Sequence, residues 1–391
     1  MKKFYIIFIF FISFLLLPQT VLGEGTVAPQ DELVESQLER LGLEEIGQFW
    51  EDVLHQYGGY LPESQRGSFM EFIRGEKEFS PSEWLLGFLQ FLFHEIFANG
   101  RLLGSLVILA VLSMVLAQLQ QAFEKHNISK IAYAITFMVL LIIALNSFHV
   151  AVEYTQQTIE VMSSFMIALV PLLLVLMATT GSVTSVALFH PIIMFLVHTS
   201  GVFVQYVVLP LLLLSTLLFI VSTMTDHYKV TKLATFIRNI AVGSLGIFLT
   251  VFLGVLSVQG ATAAVADGIA VKTAKFVTGN FIPVVGRMFT DAADTVMGAS
   301  LLVKNTVGVV GLVILLLVCI FPALKVLSIA IIYSFTAAIL QPLGGGPIIQ
   351  CLSIMGKSML FIFGALAAVS LMFFLAITII IISGNLSLMM R

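Results

Sequence analysis

Arg287 and Asp291 stand four residues apart and Asp294 three further on, so on a helix all three side chains share one face. That spacing allows an ion-pair ladder. The segment from Asp267 to Lys304 around them also carries Lys272 and Lys275 among small and apolar residues. Ionisable groups inside a membrane are costly and mark substrate or ion paths, which makes Arg287, Asp291 and Asp294 the candidates for a transport path. An amphipathic surface helix would carry the same three residues as solvated charges, and both readings stand. A second candidate is Gly344-Gly345-Gly346, set between Pro342 and Pro347. It lacks the Lys-Ser/Thr that completes a phosphate-binding loop and therefore reads as a turn or a broken helix.

The remaining chemistry-bearing types point away from catalysis. His190 and His198 share one apolar run, eight residues apart, with no carboxylate or thiolate near them in sequence. Hydrogen-bonded intramembrane histidines explain them better than a metal site. Cys319 and Cys351 lie in or beside apolar runs and read as free thiols. No Ser/His or Asp pair has the spacing of an intramembrane protease and no Walker site is present, so the expectation is a non-enzyme with no metal or cofactor. Gly243, Gly246 and Gly254, and Gly364 with Ala368, are spaced as small residues that let helices approach.

The composition explains why polar residues are so sparse. Of 391 residues 59% are apolar and only 10% charged, against about 25% charged in soluble domains. The chain is a membrane protein by this measure, which excludes a soluble enzyme, a basic nucleic-acid binder and a disulfide scaffold. The charges are also segregated. Glu24 to Trp84 holds 14 acids and 4 bases, and Leu85 onward holds 8 acids and 13 bases.

Lys2 and Lys3, the apolar stretch Phe4 to Leu17, and Val21-Leu22-Gly23 follow the order of a secretory signal, predicted to span 1–23. Residues 24–100 then form an exported acidic helical region. Val34, Leu38, Leu41, Phe49, Val53 and Tyr57 recur at helical spacing, and Gly58-Gly59 and Pro62 end that helix. A second short helix is expected from Glu63 to Gly75. Ser80-Pro81-Ser82-Glu83 is a capping box that launches Trp84 to Phe97, a run short enough to lie in the membrane interface. With so little material for a core, the exported region should dock on a partner or on its own membrane domain.

Residues 101–391 read as an all-α polytopic domain. If each charge-free interval of about 20 residues is one span, the charges at Arg101, Glu124, Lys130, Glu153, Glu160, Asp226, Arg238, Asp267, Lys304, Lys325 and Lys357 bound about nine transmembrane helices, with 8 to 10 as the range. Three of them fall between Glu160 and Asp226, with breaks near Thr179 to Thr184 and Thr199 to Gly201. The positive-inside rule places the loop Thr225 to Arg238 in the cytoplasm. Weak tandem repeats, 161–260 and 276–384, are suggested by Val208-Leu209-Pro210-Leu211-Leu212 against Ile320-Phe321-Pro322-Ala323-Leu324. On that pattern Phe276 to Met297 would itself cross or re-enter.

From Asn280-Phe281-Ile282-Pro283-Val284-Val285-Gly286, through Asp291, Asp294-Thr295-Val296 and Gly298, to Ser300-Leu301-Leu302-Val303-Lys304-Asn305, the chain resembles the stage III sporulation protein AE family. Its order of signal, short acidic exported region and long polytopic domain is similar as well. The resemblance implies a multi-pass protein of the mother-cell membrane around the forespore, in an endospore-forming bacterium, with its exported region in the intermembrane space. It further implies a channel or secretion-like complex with an ATPase, ring-forming subunits and a forespore membrane partner, and no nucleic acid. Within that complex the chain is expected to be an export gate or permease-like subunit. The alternative is a membrane scaffold that recruits other subunits through its acidic helices and its basic loop.

Overall fold

The computed structural model describes residues 43–62, 69, 81–122, 127–224, 229–281, 285–343 and 346–389. The expected signal 1–23 and the expected helix Glu63 to Gly75 fall outside these residues, apart from Phe69. Helix α1 (Glu44–Tyr57) ends in a 3₁₀ turn at Gly58–Tyr60, where the Gly58-Gly59 pair predicted a stop. Helix α2 (Pro81–Ala98) starts at the proline of the capping box. Then come α3 (Gly100–Ala122), α4 (Asn127–Thr179), α5 (Val183–Phe203), a π-helical turn at Val204–Val208, α6 (Leu209–Met224), α7 (Thr231–Phe281), α8 (Val285–Leu340) and α9 (Pro347–Met389).

The residues described are helical and turn structure without a strand. Among the described residues five segments are long and apolar enough to cross a membrane: Ala134–Thr179, Val183–Thr223, Thr231–Ala270, Val296–Leu340 and Pro347–Asn385. A sixth is the pair α2 and α3, bent by 47° at their junction, if it counts as one span. The expected count of about nine is therefore not reproduced. The reason lies in what a charge does to a helix. Glu153 and Glu160 point outward from an unbroken α4, Lys357 points outward from α9, and Lys325 lies within α8. Each was counted as the end of a span, yet none interrupts backbone hydrogen bonding. The break expected near Thr179 to Thr184 is real, with Gly181 at φ 84° supplying the left-handed turn between α4 and α5. The one expected at Thr199 to Gly201 is a continuous helix that loosens into the π turn at Val204.

Long helices run antiparallel along most of their length. A Cβ on Gly311 would meet Leu169 and one on Gly308 would meet Leu173, while the Tyr333 hydroxyl donates to the Ile143 carbonyl at 3.5 Å. These pairs fix α4 against α8. Gly308 faces Ile381 and Gly356 faces Ser334, which sets α9 against α8 in the same sense. Gly260 packs on Ile379 and brings α7 to α9. Small residues do allow close approach, but at these glycines and not at Gly243, Gly246 or Gly254. Those three stand on the outer face of α7 with open space where a side chain would project.

Length gives the bundle its most consequential feature. The 45 residues of Val296–Leu340 extend over ~67 Å at ~1.5 Å per residue, about twice the ~30 Å hydrocarbon core of a bilayer. One end holds the α4–α5 turn and Asn385, and the other holds the α8–α9 connection and the start of α4. At mid-height the outer surface turns polar, with exposed Glu153, Gln156, Gln157 and Glu160 on α4. The Gln205 side-chain amide, on the π turn, donates to the Gln156 carbonyl at the same level (3.2 Å). Helix α1 docks at this girdle.

Candidate functional site

Two buried charges of opposite sign lie toward the far end of the bundle, beyond the girdle. Asp267, 1% exposed on α7, accepts the Thr184 amide at 3.0 Å and the Ser185 amide at 3.2 Å to each carboxylate oxygen. A helix opens with unsatisfied amides and a positive dipole end, and Asp267 answers both for α5 across a tertiary contact. The α4–α5 turn thereby becomes a junction held by a third helix. The Ser185 hydroxyl beside it is buried with no hydrogen-bond partner among the described residues.

Lys304, fully buried on α8, reaches α9 and donates to the Ile381 carbonyl at 3.0 Å and to the Asn385 side-chain oxygen at 2.8 Å. A Cβ on Gly384 would meet its ammonium, so a larger residue there would displace the end of the Lys304 side chain from this position. Both acceptors are neutral. A cation held inside an apolar bundle by dipoles alone, with buried Ser300 and Ser383 nearby along the same helices, is costly to keep there, which makes it a candidate functional group. Sequence reasoning used Asp267 and Lys304 only as span boundaries. Each is a lone charge bordering a long apolar run, a pattern that a span end and a buried group share.

Arg287, Asp291 and Asp294 lie on the first three turns of α8, and their side chains fall outside the described residues. Gly344 and Gly345 lie outside as well. Gly346 belongs to the connection between α8 and α9 at the end of the bundle, preceded by a 3₁₀ turn at Gln341–Leu343. His190 and His198 are exposed on the outer face of α5. Cys319 and Cys351 are buried free thiols.

At the girdle α1 and α2 meet the long helices. Trp50, Val53 and Tyr57 bury one face of α1, while Glu44, Glu45, Glu51 and Asp52 stay exposed on the other. The Tyr57 ring stacks on Phe321 at 4.2 Å, and Phe88 and Phe91 of α2 approach the same ring edge-on. The Lys325 ammonium lies 5.6 Å from the Tyr57 ring and 5.3 Å from the Tyr154 ring, within cation–π range of both. Burial first, and then the Glu95 carboxylate and Tyr154, push the Tyr57 phenol up to about 12. Tyr57 thus remains a neutral π face at any physiological pH.

A family model described as Stage III sporulation protein AE matches residues 64–384. The chain is 58% identical over 361 residues to the "Stage III sporulation protein AE" of Bacillus subtilis (strain 168), covering 92% of this chain and 90% of that one. No solved structure matches it.

Proposed function

We propose, for a chain that belongs to the stage III sporulation protein AE family and so serves sporulation from a membrane it crosses several times, that it is the gate or permease-like subunit of a channel complex. That complex would join the mother cell to the forespore, with an ATPase, ring-forming subunits and a forespore membrane partner as its other members. No catalytic activity or cofactor is assigned to it. The observation that carries this reading is the length of the bundle, about twice a hydrocarbon core, with a polar girdle at mid-height. Helix α3 runs 23 residues, ~34 Å, from the girdle toward the start of α4. Helix α2, turned by 47° at the girdle, has the length and setting of an interfacial helix. The half of the bundle beside α3 would then cross the mother-cell membrane. The other half, which holds Asp267 and Lys304, would project into the intermembrane space toward the forespore, where other subunits could cover its apolar exterior. Arg287, Asp291 and Asp294, at the start of α8, belong to that projecting half and remain candidates for the path.

Single cysteines at Glu153, Glu160 and Met138, in a chain whose Cys319 and Cys351 are replaced by serine, test the placement. With a membrane-impermeant thiol reagent applied from the exported side, the cysteines at 153 and 160 should react and the one at 138 should not. Protection of all three would put the girdle in hydrocarbon and remove the basis for a projecting half. The scaffold alternative draws on the exposed acidic face of α1, since its apolar face is already occupied by the chain's own membrane domain. Reversing Glu51 and Asp52 to lysine should abolish subunit recruitment if that alternative holds, and leave it near wild type if the gate reading does.

A further inference from the structure

Between α1 and the middle of the bundle lies a cavity of about 400 Å³, lined on one side by Asp52, His55 and Gln56 and on the other by Gln157, Val318 and Lys325. Its size falls in the range of small-molecule sites, about 300–1,000 Å³. Its lining is neither a dry core nor a solvent cleft. Phe49, Val53 and Val161 give it an apolar wall, and the charged and amide groups gather opposite. The chemistry of the lining turns on Lys325. Its ammonium is held over two tyrosine faces and forms no ion pair with a described carboxylate. A half-buried cation so placed keeps its capacity for an anion, because a π face supplies only about 0.5–2 kcal/mol.

We propose that this cavity binds the phosphodiester headgroup of a phospholipid from the exported-side leaflet, with the phosphate on Lys325. The amphipathic lining suits a molecule with an ionic head and a hydrocarbon body, and the neighbouring α2 has an exposed apolar face at Leu85, Leu86, Leu89 and Phe93 on which acyl chains can lie. Asp52 borders the same cavity, so a headgroup that ends in an amine finds a counter-charge that one ending in glycerol does not. This inference rests on the girdle lying at the bilayer surface. A bound headgroup would bridge α1 to α8 and α4, making the docking of the exported region dependent on lipid.

The test uses the full chain purified in detergent and delipidated, with lipid binding followed by native mass spectrometry and by the thermal unfolding midpoint. Phosphatidylethanolamine should be retained and should raise the midpoint, and phosphatidylglycerol should do so more weakly. Lys325→Met should weaken retention of both at least tenfold, Lys325→Arg should preserve it, and Asp52→Asn should erase the preference between them. Val161→Trp, which fills the cavity without touching a charge, should also abolish retention and guards against a folding defect in Lys325→Met. Retention by Lys325→Met equal to wild type would overturn the proposal. A midpoint shift with sn-glycerol 3-phosphate as large as with the lipids would overturn it too, by assigning the site to a soluble phosphoester. Because binding is read in detergent, its failure is separable from a failure of the cysteine labelling that places the girdle.

Discussion

Lys304 and Asp267 are both buried, but they differ in what depends on them. Asp267 serves backbone amides that have no other acceptor in the first turn of α5. Asp267→Asn keeps one acceptor oxygen, loses the charge that meets the helix dipole, and points an NH₂ donor at backbone donors. It should destabilise the fold by about 1–3 kcal/mol, the cost of leaving a buried polar group unsatisfied. Nothing in the backbone depends on Lys304. The Ile381 carbonyl that it contacts lies within α9, and replacing buried ionic groups by well-packed apolar ones is often neutral or stabilising. Lys304→Met should therefore unfold at or above the wild-type midpoint in detergent and still fail to support sporulation. If Lys304→Met sporulates normally, the lysine is a structural strut and the gate reading loses its clearest internal group. Neither residue was legible as a site in sequence, because a lone charge beside an apolar run has the same pattern whether it ends a span or is buried within one.

Among the helices, sequence pattern succeeded where local chemistry dictates the outcome. Gly58-Gly59 ends α1, Pro81 starts α2 and Gly181 turns α4 into α5. It failed where the answer depends on continuity through a charge, as at Glu153, Glu160, Lys325 and Lys357, because helical hydrogen bonding is indifferent to a side chain that points outward, as three of these do, or into a cavity, as Lys325 does. The amphipathic spacing of α1 was legible too, and its apolar face is covered by α4 and α8. What could not be read was the glycine that admits it. A Cβ on Gly87 of α2 would strike the Tyr60 carbonyl oxygen, a backbone atom that cannot swing aside. Gly87→Ala should push the 3₁₀ turn off α2 and loosen Tyr57 and Trp50 from their seats. The emission of Trp50 in a Trp84→Phe background should then shift to the red, while the long helices keep their helical circular dichroism. An unshifted spectrum would mean that α1 holds its place without that contact.

At the scale of the molecule, the number of crossings decides which side each end faces. With α2 and α3 as a bent pair that crosses once, the chain passes through α3, α4, the α5–α6 unit, α7, α8 and α9, an even number from α1 to the C-terminus. Both ends then lie on the same side, and the α6–α7 connection, with Lys229 and Lys232 near it, lies on the other, where the positive-inside rule wants basic residues. If α3 does not cross, five passages remain and the ends lie on opposite sides. Nine charge-free intervals would also have put them opposite, so parity separates the structure from interval counting as well as six crossings from five. A cysteine appended after Arg391 should react with an impermeant reagent from the same side as a cysteine at Gln48, and one at Lys229 only after the membrane is opened. Labelling of the cysteines at Gln48 and Lys229 from one side, with the appended cysteine on the other, would reject the six-crossing arrangement. It would also remove α3 as the ruler by which the membrane is placed along the bundle.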